Sequence, residues 1–331
     1  MRKEIIILLS TIIVAQEYSL QVDYGYGDGL YFEGDSVHIW AHEIPSNVIF
    51  LNWSVGVDLI EDTRQWHNTF IMPAENVQIE TEYDIINEME VMNEQIQCSN
   101  SLKDVYYIFP EDHLGVIFLF HGTSGHGLNW IEKIENNIFT KDAIASGFGV
   151  VATDSEEATL GDLDGDGHLR WNVMPPNING NIDIENISVI IDTFTTRGYI
   201  NEDTDIFALG MSNGSNFAPS VSYALDFAGT AGYCSRGHPE IYAVTEVPTI
   251  FCTVINDHTS ENEVTYENYQ TLLERNIETQ YHLHLVQPLY PQRFKRVESI
   301  VSEVSHALFQ DIDEADLLDE NNYFIYSYDD V

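Results

Sequence analysis

Gly210-Met211-Ser212-Asn213-Gly214 sets a serine between two glycines at a spacing suited to nucleophilic chemistry. An apolar run at 206–209 precedes it, and a stretch of helical character at 216–227 follows. A strand that turns directly into a helix around a serine bends so sharply that glycines must flank the turn. The serine Oγ is then left projecting above the sheet. A hydroxyl held there can attack a carbonyl carbon once a base takes its proton and donors meet the charge arriving on the carbonyl oxygen.

A second segment supplies such donors. Val116-Ile117-Phe118-Leu119-Phe120 reads as a buried strand that runs into His121-Gly122-Thr123-Ser124-Gly125. One main-chain N–H would come from Asn213, the residue after the nucleophile, and the other from Thr123 in the turn after this earlier strand.

With these two turns the chain resembles the α/β-hydrolases, and more narrowly the secreted esterases related to polyhydroxybutyrate depolymerases and feruloyl esterases. The likeness is carried by residues 116–125, by 206–218 and by Asn181-Ile182-Asp183 ahead of an apolar helix. It covers roughly residues 100–310, and Ser215 departs from it where such esterases often have a second glycine. The resemblance implies a mostly parallel sheet flanked by helices and a serine carboxylic-ester hydrolase working through an acyl-enzyme. It implies no organic cofactor. Polyesters, feruloyl or acetyl esters of polysaccharide, and short-chain esters are all compatible substrates. Trp130, Trp171 and Phe217 are expected to line an aromatic cleft.

The same fold orders its triad as serine, acid, histidine. The acid is expected after the next parallel strand, 248–255, which points to Asp257, with Glu261 second. His306 is the base expected from chain order, being the only histidine beyond the last predicted strand, 280–286. It lies 94 residues after Ser212 and 49 after Asp257. Residues 297–309 nevertheless read as an amphipathic helix, so His306 on a helix surface and a base beyond Val331 both stay open. His258 adjoins the acid. His282 and His284 share one strand face and read as packing residues, while His121 is expected to fix the oxyanion turn by hydrogen bonding. Two rivals to the esterase stand: a serine peptidase of the same fold, and a binding or adhesion protein that lacks the base.

Asp162, Asp164 and Asp166 alternate before Gly167, as in the first half of an EF-hand loop. Position twelve of that loop is Val173 instead of a glutamate, so Asp154, Glu156 or Glu157 would have to complete a structural Ca²⁺ site.

Elements must carry these groups, and 331 residues are enough for a catalytic domain plus an accessory module. From residue 104 onward strands and helices alternate, which implies a mostly parallel α/β sheet. In front of it, residues 18–84 read as a small antiparallel β module, with alternation at Leu20, Val22 and Tyr24 and turns at 25–29 and 33–35. That module resembles the bacterial internalin B-repeat through residues 31–37, 50–53 and 70–77, which implies a spacer or adhesive unit. Core packing is expected for at least two of Trp40, Trp53 and Trp66; a sugar-stacking face is the alternative. Residues 85–97 read as an acidic, helix-prone linker, 98–310 as the hydrolase domain and 311–331 as an acidic tail.

Arg2 and Lys3 ahead of the apolar run 5–15 read as a signal peptide, and hence as export. No other segment is long and apolar enough to span a membrane. A formal charge of −41 argues against nucleic-acid and anionic-membrane partners and favours a saline setting. Three cysteines cannot all pair; a Cys98–Cys234 bridge is conceivable, and Cys252 reads as a core residue.

Overall fold

The computed structural model describes residues 16–42, 48–86, 90–257, 261–297 and 299–326, and it divides between Ile85 and Ile86 into two compact units. The expected signal peptide, 1–15, lies outside the described residues.

The first unit holds β1 (Glu17–Asp23), β2 (Gly25–Tyr26), β3 (Gly29–Phe32), β4 (Ser36–Ala41), β5 (Val48–Val55), β6 (His67–Ile71) and β7 (Val77–Ile85). They form a four-stranded sheet, β3-β1-β7-β5, and a three-stranded sheet, β2-β4-β6. Side chains alternate in and out along β1, β6 and the first part of β7, and Leu20, Val22, Ile39, Phe70 and Ile79 meet in one core. All pairings are antiparallel except one: β1 and β7 run parallel, because the first and last strands of the unit lie side by side. Trp40 and Trp53 are buried and Trp66 packs on the same core, so packing is the role of these rings.

The second unit holds β8 (Met92–Gln97), β9 (Leu102–Ile108), β10 (Val116–Phe120), β11 (Gly149–Thr153), β12 (Ile206–Met211), β13 (Gly229–Tyr233), β14 (Thr249–Val254) and β15 (Thr279–His284). Its helices are α1 (Asn129–Glu132), α2 (Ile134–Ala145), α3 (Glu156–Leu160), α4 (Ile182–Thr196), α5 (Asn213–Leu225), α6 (Pro239–Tyr242), α7 (Asn262–Glu274) and α8 (Ser302–Glu314). The eight strands make one sheet in the order β15-β14-β13-β12-β10-β11-β9-β8. β9 is antiparallel to both β8 and β11, and the other pairs are parallel. This is the mixed α/β class expected from the sequence, with helices flanking a mostly parallel sheet.

The core lies where α4 and α5 press on the centre of the sheet. Ile184, Ile187, Ile190 and Phe194 recur at helical spacing on α4 and meet Phe118, Phe120, Ala208 and Phe217. Each buried phenylalanine contributes about 2–3 kcal/mol by leaving water. Asn181 starts α4 by accepting the N–H groups of Asp183 and Ile184 at 3.1 and 3.4 Å.

Several expectations change. Within the expected linker, the part from Met92 to Gln97 is β8, the outer strand beside β9. Pairing with β9 and burial of Ile96 override the helix propensity of its Glu and Met residues. β13, Gly-Thr-Ala-Gly-Tyr, is a strand that periodicity did not reveal, so 248–255 is the second parallel strand after Ser212 and not the next. Small residues are needed there, since a Cβ on Gly232 would stand 2.3 Å from the Oγ of Ser215 on α5. α8 starts at Ser302 and runs to Glu314, through the boundary expected at 310. All three cysteines are free; Cys98 Sγ faces the carbonyl of Asn186 instead of Cys234. β15 is an edge strand, which leaves His282 and His284 exposed instead of packed.

Candidate active site

Ser212 caps α5 with φ 54° and ψ −118°, a conformation that costs a residue with a side chain about 1–3 kcal/mol. The surrounding backbone enforces it. The Ser212 N–H donates to the carbonyl of Tyr233 at 2.8 Å, and the Ser212 carbonyl accepts from Ser215 and Asn216. Both flanking glycines are steric requirements. A Cβ on Gly210 would lie 2.1 Å from the carbonyl oxygen of Gly214, and one on Gly214 would lie 2.3 Å from that of Phe120. The serine is half-buried, not enclosed. Its Oγ has no hydrogen-bond partner among the described residues.

The turn after β10 lies against this elbow. A Cβ built on Gly122 would stand 3.3 Å from Ser212 Cβ and 3.9 Å from its Oγ. Thr123, the next residue, is exposed. The main-chain N–H groups of Thr123 and Asn213 are engaged by no other group among the described residues. Two main-chain donors beside a strained serine can hold a carbonyl oxygen as it becomes an anion.

His121 fixes this turn. Its Nδ1 donates to the Gly122 carbonyl at 2.7 Å and its Nε2 accepts the Ser155 N–H at 3.1 Å. That pattern requires the neutral ring with the proton on Nδ1. Burial pushes its pKa down to about 4. Both ring nitrogens are occupied, so His121 positions the loop, as expected from sequence.

Trp171 ties the two turns together from below. Its Nε1 donates to the His121 carbonyl at 3.0 Å, and its main-chain N–H donates to Asn213 Oδ1 at 2.7 Å. The ring stacks on Phe217, with centroids 4.7 Å apart, and meets Phe120 edge-on. Trp130, Trp171 and Phe217 are all buried, which corrects their expected place as the lining of a cleft. Apolar side chains of this size gain more by covering the sheet than by facing water.

Asp257 stands three residues beyond β14, half-buried, with its N–H on the Val254 carbonyl at 3.1 Å. It lies near Cys234, whose thiol is raised first by burial and then by the Asp257 charge. Cys234 directly follows β13, the strand whose Tyr233 holds the Ser212 amide. Asp257 and Ser212 thus share the end of the sheet where the parallel strands finish. Glu261 is committed elsewhere, in an ion pair with Arg236 at 2.8 Å.

His306 is an exposed residue of α8. Its neighbour Ser305 is buried, with Oγ donating to the Pro291 carbonyl at 2.8 Å and accepting the Phe294 N–H at 3.1 Å. No hydrogen bond joins His306 to Ser212 or to Asp257 among the described residues. His258 lies outside the described residues.

In the acidic loop, Asp166 turns away to bond Arg170 at 2.8 Å. Glu157 takes its place: oxygens of Glu157, Asp162 and Asp164 lie within 4.8 Å of one another. The other two candidates for completing the loop are engaged elsewhere, Asp154 by the Gly127 N–H and Glu156 by Lys103. Main-chain N–H groups of Gly165 and Gly167 already hold Asp162 and depress its pKa. Three hard oxygen ligands of this kind suit a cation such as Ca²⁺.

Sequence reasoning missed the Lys103–Glu156 pair and the linking role of Trp171. A lysine in phase with Val105 and Tyr107, the inward positions of β9, was the available signal for the first. Nothing local marked the second.

No family model matches the chain, and no curated protein matches it. Among solved structures it is similar to a ferulic acid esterase at 13% identity, over 60% of this chain and 90% of that one, with a TM-score of 0.47. It is similar to a dienelactone hydrolase from Anabaena variabilis at 12% identity, over 68% and 99%, with a TM-score of 0.45. It is also similar to a highly thermostable carboxyl esterase from Bacillus coagulans at 10% identity, over 68% and 99%, with a TM-score of 0.45.

Proposed function

We propose that this protein hydrolyses carboxylic esters through an acyl-enzyme on Ser212. The observation that carries the reading is the strained elbow, with Ser212 at φ 54° beside the Gly122 turn. Strain of this kind persists only where surrounding structure enforces it, and it aims the hydroxyl at the site. Ser212 Oγ attacks the ester carbonyl, and the Thr123 and Asn213 amides receive the oxyanion. His306, oriented by Asp257, takes the serine proton and passes it to the departing alcohol. Water then repeats the sequence and frees the acid. Chain order supports His306, which follows Ser212, Asp257 and β15 in that order.

The rest of the reading follows from sequence. Export is proposed from residues 1–15, and a polymeric or polysaccharide-linked ester from the resemblance of residues 100–310. The front unit is proposed as a spacer or adhesive module, and the carboxylates of Glu157, Asp162 and Asp164 as a structural Ca²⁺ site.

The test is turnover of p-nitrophenyl butyrate and feruloyl and acetyl esters, against peptide anilides, together with labelling by a fluorophosphonate. Ser212→Ala should abolish turnover and labelling, and His306→Ala should lower kcat by about 10³-fold or more. Faster anilide than ester cleavage would make it a peptidase. A second reading, a binding protein without a working base, is favoured by the absence of a partner for Ser212 Oγ among the described residues. Native protein that neither turns over esters nor labels would establish it.

A further inference from the structure

We propose that Asp183 is a positioning residue for the oxyanion donors, its carboxylate clamping the two main-chain segments on which both donor turns rest. The inference rests on the esterase reading of Ser212.

Asp183 is 1% exposed in the first turn of α4. Its two oxygens serve different segments. Oδ1 accepts the Glu156 N–H at 2.6 Å and Oδ2 accepts the Asn172 N–H at 2.7 Å. These short bonds are charge-assisted and so among the stronger in a protein. Each clamped residue has a neighbour that reaches the site. Ser155, before Glu156, donates its N–H to His121 Nε2, and His121 Nδ1 holds the Gly122 carbonyl. Trp171, before Asn172, donates its N–H to Asn213 Oδ1 and its Nε1 to the His121 carbonyl. One arm therefore ends on the Thr123 turn and the other on the residue after the nucleophile.

The carboxylate is the group that both arms share. Asn181 fixes Asp183 in turn, by accepting its N–H at 3.1 Å. An asparagine in its place has one oxygen and an NH₂, so one of the two main-chain N–H groups would face a donor. That arm would shift, and a displacement on the order of 1 Å in a catalytic array costs about 10²-fold in rate. Substrate binding in the ground state depends on other surfaces, so the loss belongs to kcat.

The experiment uses the full chain with active sites counted by fluorophosphonate labelling. Asp183→Asn should lower kcat per labelled site by about 10–100-fold and leave KM within about 3-fold. Affinity for phenylboronic acid, which forms a tetrahedral adduct on the serine, should fall in step with kcat. A merely structural residue would lower the melting temperature and the number of active sites while leaving kcat per site unchanged, and that result overturns the proposal. If Asp183→Asn does not fold, Trp171→Phe removes the Nε1 donor of the second arm together with part of the ring packed on Phe217, and its effect is read per labelled site. It should lower kcat and boronate affinity together by about 3–10-fold, and no change there also overturns the proposal. Turnover by Ser212→Ala would instead refute the esterase reading. An inactive Ser212→Ala beside an unaffected Asp183→Asn refutes the role of Asp183 alone.

Discussion

Lys103 Nζ stands 2.8 Å from Oε2 of Glu156, with 1% and 3% of the two side chains exposed. Lys103 comes from β9 and Glu156 from α3, and Thr159, Ser101 and Asn186 complete the network. Burial alone would raise the Glu156 carboxyl, yet the Lys103 ammonium and the hydrogen bonds of Ser101 and Asn186 hold it below the usual range. Breaking one side of such a pair strands a buried charge. Lys103→Met should cost about 3–5 kcal/mol in urea unfolding, and adding Glu156→Gln should recover part of that loss.

The elbow glycines make a sharper test of backbone geometry. A Cβ on Gly214 meets two main-chain oxygens, of Phe120 at 2.3 Å and His121 at 2.6 Å, and neither can swing aside as a side chain would. Gly214→Ala should destabilise by about 2–4 kcal/mol and abolish fluorophosphonate labelling at temperatures where the variant is still folded. Gly198→Ala is a control for left-handed backbone, since Gly198 has φ 81° and nothing within 4 Å of an added Cβ. It should cost about 1–2 kcal/mol and leave labelling intact.

Two histidines should stay neutral well into acid. Burial pushes His121 down to about 4, and burial together with the neighbouring His38 pushes His67 down to about 4. With unfolded values near 6.5, each contributes stability that is present above about 6.5 and is lost as pH falls through about 4. Ring ¹⁵N spectra of histidine-labelled protein at pH 5 should show two neutral rings, one with its proton on Nδ1. A protonated ring in both would contradict this. Asp183, raised to about 6 by burial, acts with the opposite sign, losing its contribution as pH rises from about 4 to 6. Acid destabilisation from the histidines is therefore partly offset.

The cysteines should be inert. Burial raises the Cys98 and Cys252 thiols to about 11, so thiolate is scarce at neutral pH. Native protein should resist iodoacetamide at pH 8 at both sites, and dithiothreitol should leave the melting temperature unchanged. A fall in melting temperature on reduction would restore the disulfide.

Some of the site was legible because it is local. Gly210, Ser212 and Gly214 are close enough in the chain for their types alone to state a bend, and the run into His121 and Gly122 states a strand end. The role of His121 followed from its place before that turn. β8 and β13 were not legible. β8 carries Met, Glu and Gln, and β13 carries two glycines, so neither shows a strand's alternation, and both exist because a neighbouring strand offers its hydrogen bonds. Trp171 was misplaced for a related reason: its ring is buried by Phe120 and Phe217, which come from other elements.

The sequence by itself determined the α/β class, the serine bend and the turn beside it, since periodicity and glycine placement act over a few residues. Only the tertiary structure decided that Glu157 instead of Asp166 joins Asp162 and Asp164, that Lys103 is buried with Glu156, and that Asp183 spans two segments. Those outcomes depend on which distant groups share a small volume without water. The energy of a buried charge is set by the partners within a few ångströms, and residue order along the chain does not encode that distance.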